Sequence, residues 1–172
     1  FDRQRFPGKR VIFAKDPTMG TLESALLADG VAPDQLYPLD VDRALGVYER
    51  IRPDVTFAQT YGQQQQVMVD NQADLALVVS ARAYSVLKAG GTQWKTVWDK
   101  MPVTWDTLVI PKGAPNKDAA LKLITFASQP AQAAKFAELA GVGAANTTTK
   151  PHLDDLAGQV DALSGSQDHN LV

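Results

Sequence analysis

The segments Arg10-Val11-Ile12-Phe13-Ala14 and Thr21-Leu22-Glu23-Ser24-Ala25-Leu26-Leu27-Ala28-Asp29-Gly30 decide the fold class. The first is a short apolar run that contains β-branched residues, which predicts a strand over residues 10–14. The second places leucines and alanines at helical spacing and ends at an Asp-Gly pair, which predicts a helix over residues 21–28. A strand followed directly by a helix is the repeating unit of α/β proteins, so we expect an α/β fold.

The same alternation continues along the chain. Further strands are expected at 54–58, 73–79, 94–98 and 105–110; the run at 73–79 is nearly all apolar, typical of a strand covered on both faces. Asp40 is expected to cap a helix that ends near Pro53, and Ser80 to cap a helix over 81–88. The apolar face of the Asp40-capped helix is predicted to contain Val41, Ala44, Leu45, Val47 and Tyr48.

A third helix is expected over 63–69, with the glutamines at 63–66 forming a solvated first turn. From residue 116 onward the pattern contains no strands and predicts helices over 118–127 and 130–139. The last residues are expected to be helical up to residue 163 and weakly ordered from Ser164.

Composition excludes several classes of partner. The chain has 172 residues, of which 45% are hydrophobic and 21% charged, and a formal net charge of −2, so it lacks the basic surface that nucleic acids or anionic membranes require. No stretch is long and apolar enough to span a bilayer, and the first residues do not resemble a signal peptide, so we expect a soluble chain whose targeting segment has been removed. The absence of cysteine excludes disulfides and thiolate metal sites.

Local signatures of common enzymes are also absent. The sequence contains no serine elbow, no phosphate-binding G-x-x-x-x-G-K loop, no H-E-x-x-H pair and no dinucleotide fingerprint. His152 and His169 have no second ligand at metal-binding spacing and are interpreted as surface residues. Asp154 and Asp155 are adjacent and point about 100° apart on a helix, so they favour a charged first turn over a paired catalytic site. No metal and no cofactor is expected.

Polar and aromatic side chains follow the ends of the predicted strands. In open α/β sheets, ligands bind in the crevice beyond the carboxyl ends of the strands. These positions also lie near helix N-termini, where unpaired backbone N–H groups can hold an acceptor. The candidates at this edge are Lys15, Asp16 and Thr18 after the first strand, Gln59, Thr60 and Tyr61 after the second, and Ser80, Arg82 and Tyr84 after the third. Helix capping remains an open alternative for Asp16, Thr60 and Ser80 individually.

Five segments, in order, resemble one family. They are Phe6-Pro7-Gly8-Lys9-Arg10, the run from Gly20 to Gly30, Leu36-Tyr37-Pro38-Leu39-Asp40 with Val41-Asp42-Arg43-Ala44, Asp74-Leu75-Ala76, and Ile110-Pro111-Lys112-Gly113-Ala114-Pro115-Asn116-Lys117 with the helix that follows it. Together they resemble the second lobe of extracellular solute-binding proteins of the spermidine/putrescine-binding type. The resemblance covers residues 6–146.

This resemblance implies a type II periplasmic-binding-protein lobe, with a mixed sheet flanked by helices, in a receptor that traps a small molecule by hinge closure. It implies a periplasmic or membrane-tethered, non-enzymatic protein that delivers its ligand to the membrane permease of an ATP-binding-cassette importer. Matching positions place Asp16, the loop 59–61, the turn with Val79, Ser80 and Arg82, and the segment with Trp105 and Asp106 in the ligand cleft. Asp16 and Asp106 would suit an ammonium group, and Tyr61 and Trp105 could face a cation.

The chain departs from the polyamine-binding pattern in several places. Val79 and Ser80 replace a tryptophan and an asparagine, Val142 replaces a tyrosine, and Arg82 adds a positive charge. These departures count against assuming a polyamine. Two aspartates and two aromatic residues against one arginine still favour a ligand that carries an amine, a polyamine or another organic cation.

The resemblance also implies a division of the chain into three segments. Residues 1–103 correspond to the second lobe, 104–150 to a segment that returns to the first lobe, and 151–172 to a helical C-terminal stretch. We accordingly expect a chain that lacks the first lobe. Its apolar faces would be covered by a second copy, by a separate first-lobe fragment or by an exchanged element, in that order.

Two other functions are weighed. A ligand-sensing domain of a regulatory or signalling protein would reuse the same fold, and the complete gene would distinguish it by a DNA-binding or membrane segment. A small hydrolase built on Asp16, Asp106 and Ser80 is disfavoured, because no base accompanies a nucleophile.

Overall fold

A computed structural model describes residues 1–16 and 19–165. Its sheet contains three strands, β1 (Arg10–Phe13), β2 (Val55–Ala58) and β3 (Leu75–Leu77), in the order β2-β1-β3. Both neighbours pair with β1 in parallel, and Arg10 is level with Val55 and Leu75. The predicted α/β class is confirmed, but the described sheet is wholly parallel rather than mixed.

The helices follow the predicted pattern closely. Those over 21–28, 118–127 and 130–139 form within one residue of their expected limits, and the helix expected over 63–69 begins two residues earlier. The helices are α1 (Thr21–Ala28), α2 (Val41–Ile51), α3 (Tyr61–Val69), α4 (Ser80–Lys88), α5 (Lys117–Ala127), α6 (Pro130–Ala140), α7 (Asp155–Val160) and α8 (Ala162–Gly165). The tail predicted to be weakly ordered begins at Ser164, but residues 164–165 belong to α8; the rest of it, residues 166–172 with His169, lies outside the described residues.

Strand β1 contributes to the hydrophobic clusters on both faces of the sheet, because successive strand residues point to opposite faces. Ile12 packs with Leu26 of α1 and Val47 of α2, whereas Val11 packs with residues of α3 and α4. Val11 is 0% exposed and Ile12 is 4% exposed. The centre of the sheet is therefore β1, and the prediction that the run 73–79 is covered on both faces is wrong. Only residues 75–77 pair, as an edge strand, and Leu75 is 38% exposed.

The C-terminal helices attach to α4. Tyr84 and Leu87 pack against Ala157 and Val160 of α7, and the Tyr84 hydroxyl donates to Asp154 Oδ2 at 3.1 Å. Gly141, which ends α6 at φ 64°, lies so close to Tyr84 that an added Cβ would be 2.4 Å from its ring. Only glycine combines this left-handed conformation with such a close approach.

Two predicted features of helices are corrected. Asp40 and Thr60 do cap α2 and α3 through their side chains, but Ser80 does not cap α4. The cap position is the extended residue Val79, so Ser80 is already the first helical residue. On α2, Val41 and Leu45 are 46% and 51% exposed, because the buried face is formed by Ala44, Val47, Tyr48 and Ile51.

The strands predicted at 94–98 and 105–110 do not form in the described residues. A strand requires a hydrogen-bonded neighbour, and neither segment joins the sheet. Leu108 and Val109 are 64% and 75% exposed, so the second segment also lacks a packed face. Within residues 1–16 and 19–165, no helix has both the length and the apolar character needed to cross a bilayer.

Candidate functional site

The carboxyl ends of the three strands meet at one edge. Because the pairing is parallel and Ile12 is level with Phe57 and Leu77, the chain leaves all three strands on the same side. Asp16 follows β1, the loop at 59–60 follows β2, and Ser80 follows β3 and begins α4. The structure thus brings together the three loops that the sequence analysis singled out, while Thr18 lies outside the described residues.

Tyr61, the first residue of α3, is the centre of this edge. Its ring stacks on Phe13, the last residue of β1, with centroids 4.2 Å apart and an interplanar angle of 27°. The guanidinium carbon of Arg82, in the first turn of α4, lies over the same ring at 5.4 Å from its centroid. Residues from β1, α3 and α4 therefore form one stack of two rings and a cation.

Charges from three segments act on the Tyr61 phenol. Partial burial raises the pKa of Tyr61 above its ordinary value, and the negative charges of Asp16 and Asp106 raise the pKa further, because both disfavour a phenolate. Arg82 opposes this shift because its positive charge favours the phenolate. Three predicted site residues, Asp16, Arg82 and Asp106, are thus each close enough to the fourth, Tyr61, to shift its pKa.

Gln59 and Thr60 form the turn that begins α3. The Thr60 hydroxyl accepts from the Gln63 N–H at 3.0 Å, so the capping alternative is correct for this residue. The Gln59 N–H donates to Gln63 Oε1 at 2.7 Å, and Gln59 Nε2 donates to the Phe57 carbonyl at 3.1 Å. Both side chains remain exposed at the edge.

Gln64 was missed by the sequence analysis. The prediction of a solvated turn over 63–66 is wrong at this residue, which is 0% exposed. Its Nε2 donates to the carbonyl of Leu77 at 2.7 Å and joins α3 to the end of β3, whereas its buried Oε1 has no partner among the described residues. The signal was present in the spacing, since Gln64 shares a helical face with Val67 and Met68.

Phe13 was also not predicted as a site residue, although it ends the central strand beside Asp16. Trp105 and Asp106 are exposed, with Trp105 at 73%. Asp106 acts on Tyr61, but the described contacts do not place Trp105 in the ring stack.

The opposite end of the sheet contains a concavity of about 440 Å³. Its charged walls are occupied by contacts that fix the N-terminal segment: Arg3 and Lys9 pair with Asp54 at 2.5 and 3.3 Å, and the Lys9 N–H donates to Asp74 at 2.9 Å. We interpret this concavity as structural. Across the described ranges, no group of carboxylates and histidines has the arrangement of a metal site. His152 is exposed, and its backbone N–H donates to Glu138 Oε1.

Comparison with known proteins identifies relatives over most of the chain. The family model described as bacterial extracellular solute-binding protein matches residues 1–157. The gamma-aminobutyric acid-binding protein of Pseudomonas aeruginosa is 31% identical over 140 residues, which is 78% of this chain and 39% of the relative. The spermidine/putrescine-binding periplasmic protein of Escherichia coli is 26% identical over 144 residues, 83% of this chain and 41% of that protein.

Solved structures agree with these relatives. The Atu4243-GABA receptor matches 99% of this chain and 52% of its own with a TM-score of 0.78 and 31% identity. The PBP AgtB of A. tumefaciens R10, in complex with agropinic acid, matches 92% of this chain and 49% of its own with a TM-score of 0.74 and 31% identity. The chain spans about two fifths of the curated relatives and about half of the solved ones.

These matches confirm both the resemblance drawn from the sequence and the expected periplasmic-binding-protein fold. The parallel sheet with its helices is consistent with one lobe of such a protein. The chain belongs to the bacterial extracellular solute-binding proteins.

Proposed function

We propose that this chain forms a ligand-binding lobe of a periplasmic receptor, which captures a small molecule and delivers it to the permease of an ATP-binding-cassette importer. The observation that carries the proposal is the cluster at the carboxyl edge of the sheet, where Asp16, Tyr61, Arg82 and Asp106 converge. Residues of opposite charge around an aromatic ring can orient a small charged molecule. Family membership supports the same function.

The charge of the cluster supports a cationic group on the ligand. Asp16 and Asp106 both act on Tyr61, against Arg82 alone, and two carboxylates close to one ring would suit an ammonium group of the ligand. The relatives are named for γ-aminobutyric acid and for spermidine and putrescine, all of which contain an amine. We propose an amine or another organic cation as the ligand class, with Asp16 and Asp106 as its principal contacts.

The proposed role of Tyr61 differs from the one expected from the sequence. Phe13 and Arg82 already lie against the Tyr61 ring. We therefore propose that this ring holds the Arg82 side chain in place and does not contact a cation of the ligand. The exposed ring of Trp105 remains available for that contact. Gln59, Thr60 and Ser80 are proposed to contact the polar parts of the ligand from the same edge.

The proposed receptor is not an enzyme and acts outside the cytoplasmic membrane. Its relatives are solute-binding proteins, and several are periplasmic by name. Delivery requires a membrane permease as partner. Exposed apolar side chains on α5 and α6 support a second contact, with another copy of the chain or with a separate first-lobe fragment.

A thermal-shift screen of the protein expressed from its complete gene tests this proposal, because a ligand that binds only the folded state raises the melting temperature. The panel contains γ-aminobutyrate, putrescine, spermidine, and phosphonates and sulfonates that have no amine. We expect shifts with amines only. Shifts confined to the anions would contradict the proposed ligand class, and no shift with any compound would contradict a receptor for these solutes.

A further inference from the structure

Gln64 is a buried polar residue on α3, one turn after Tyr61. Residues three apart on a helix share a face, so its side chain extends from the same side of α3 as the Tyr61 ring. It is 0% exposed, and its Nε2 donates to the carbonyl of Leu77 at 2.7 Å. Leu77 is the last residue of β3. The bond therefore joins α3 to the point where the chain leaves the sheet for α4.

The amide of Gln64 is not explained by packing. Its helical neighbours Val67 and Met68 belong to an apolar cluster with Val11 of β1. Gln64 Oε1 is buried and has no partner among the described residues, which opposes folding because a buried polar atom loses its hydration. Methionine has a similar length and would fill the same space without that cost. The property that glutamine adds here is the hydrogen bond that it donates to Leu77.

That hydrogen bond lies just before the start of α4. Two residues separate Leu77 from the helix. The second of them, Val79, accepts the N–H of Arg82 at 2.9 Å through its carbonyl, so the first turn of α4 is built directly on this short connection. No side chain of the described residues caps α4. The Gln64 side chain therefore holds the backbone from which the helix starts.

The first turn of α4 also contacts α3 directly. The guanidinium carbon of Arg82 lies over the Tyr61 ring, 5.4 Å from its centroid. Tyr61 itself is fixed against Phe13 of β1, with ring centroids 4.2 Å apart. A contact between a cation and a partly exposed ring is weak, so it does not by itself hold the end of a helix. The position of Arg82 over the ring thus depends on the backbone that Gln64 holds.

We propose that Gln64 is a positioning residue of the ligand-binding edge: its hydrogen bond to Leu77 holds the first turn of α4 against Tyr61 and so sets the spacing between the loop at 59–61 and the loop that begins α4. Gln64 acts through Leu77 and does not touch the ligand, because its side chain is 0% exposed. Buried side chains of this kind keep binding groups in the geometry that the ligand requires. This inference rests on the proposed function and adds a residue that maintains its site.

Two apolar variants and one control separate this role from a general contribution to stability. Gln64→Met and Gln64→Leu remove the donor and the unpartnered oxygen but keep an apolar side chain beside the cluster. Gln66→Met is the matched control on the same helix, where an exposed side chain donates to Asp70. Melting temperatures establish that each variant is folded. Failure of both Gln64 variants to fold would assign the bond to the fold as a whole and overturn the narrower role.

The first readout is the effect of Arg82 on the Tyr61 phenol, measured by tyrosinate absorbance as the difference from Tyr61→Phe. Burial has the largest effect on the pKa of Tyr61 and raises it, whereas Arg82 lowers it, so Arg82→Gln raises this pKa in otherwise unmodified protein. We expect a smaller rise in the Gln64 variants, because the guanidinium lies farther from the ring there, and an unchanged rise in Gln66→Met. The same rise in every background would overturn the inference, and no ligand is involved.

The second readout is the affinity for γ-aminobutyrate, measured by calorimetry on the protein expressed from its complete gene. We expect the folded Gln64 variants to bind it about tenfold more weakly, the loss of about one well-placed charge-assisted contact, and Gln66→Met to bind it like the unmodified protein. Undiminished affinity in both Gln64 variants would overturn the inference and leave the receptor function intact. If the unmodified protein binds no amine, the proposed ligand class fails, and the Tyr61 titration alone decides the role of Gln64.

Discussion

The pKa of Tyr61 depends on the charges around its ring, so these charges can be tested without a ligand. This pKa is raised by burial first and then by Asp16 and Asp106, and it is lowered by Arg82. We predict that Asp16→Asn and Asp106→Asn each lower the pKa of Tyr61, because removing a negative charge makes the phenolate less unfavourable. Arg82→Gln should raise the pKa further.

The titration is followed by tyrosinate absorbance, and the contribution of Tyr61 is obtained by difference from the Tyr61→Phe variant. Asp34→Asn, at an exposed residue of another segment, is the control and should have no effect. A Tyr61 pKa that responds to none of the three site substitutions would show that these charges do not converge on the ring.

Individual residues differ in how far the sequence predicts them. Asp40 accepts a hydrogen bond from the Arg43 N–H and caps α2 as predicted, whereas Asp154, expected in a charged first turn, is the cap of α7 and accepts from the Ala157 N–H. Ser80 is also of a residue type that caps helices, but α4 begins one residue earlier than expected, so Ser80 is its first helical residue and not its cap. Cap chemistry is local, whereas the point at which a helix begins also depends on the strand before it.

At the scale of elements, Gln64 joins α3 to β3. We predict that Gln64→Ala destabilises the fold by about 1–3 kcal/mol, because the Leu77 carbonyl loses its donor and the buried Gln64 side chain is removed. Gln66→Ala is the control on the same helix. Its side chain is exposed and donates to Asp70 at the end of that helix, so the effect should be within about 0.5 kcal/mol.

Urea unfolding measures both variants, with the midpoint compared at an unchanged slope. Equal midpoints for the two variants would mean that the hydrogen bond of Gln64 contributes nothing to the fold.

Some of the strands could be predicted from the sequence and others could not. Residues 10–14 and 54–58 form strands as predicted, because each is a short apolar run between turn residues and each has a neighbour in the sheet. The run at 105–110 has the same local character and forms no strand, because pairing depends on a partner elsewhere in the chain or in another chain. The location of the three strand-end loops was predictable from the α/β pattern, whereas the cover of Tyr61 by Phe13 and Arg82 depends on tertiary packing.

The whole molecule has apolar side chains that the described residues do not cover. Leu123, Phe136 and Leu139 of α5 and α6 are 64%, 67% and 68% exposed, and Trp105 and Val109 are exposed to a similar extent. We predict that this 172-residue chain alone associates with itself or, when present, with a first-lobe fragment, since large apolar patches are rare on monomers.

Light scattering measures the mass of the isolated chain, and an apolar-surface dye measures the uncovered area. Phe136→Glu with Leu139→Glu should reduce both association and dye binding. A chain that is monomeric, melts cooperatively and binds no dye would contradict this prediction and the lobe division at residues 103 and 104.

The most direct test of the account is whether the two carboxylates at the strand-end edge hold the ligand. Calorimetry compares binding of γ-aminobutyrate to the protein expressed from its complete gene, to the double variant Asp16→Ala with Asp106→Ala, and to the control Asp34→Ala with Asp42→Ala, which removes two exposed carboxylates elsewhere. We predict that the site variant weakens binding by about a hundredfold, because each lost charge-assisted contact contributes about tenfold, and that the control binds like the unmodified protein. Undiminished binding in the site variant, with its melting temperature unchanged, would contradict the assignment of the ligand to this edge.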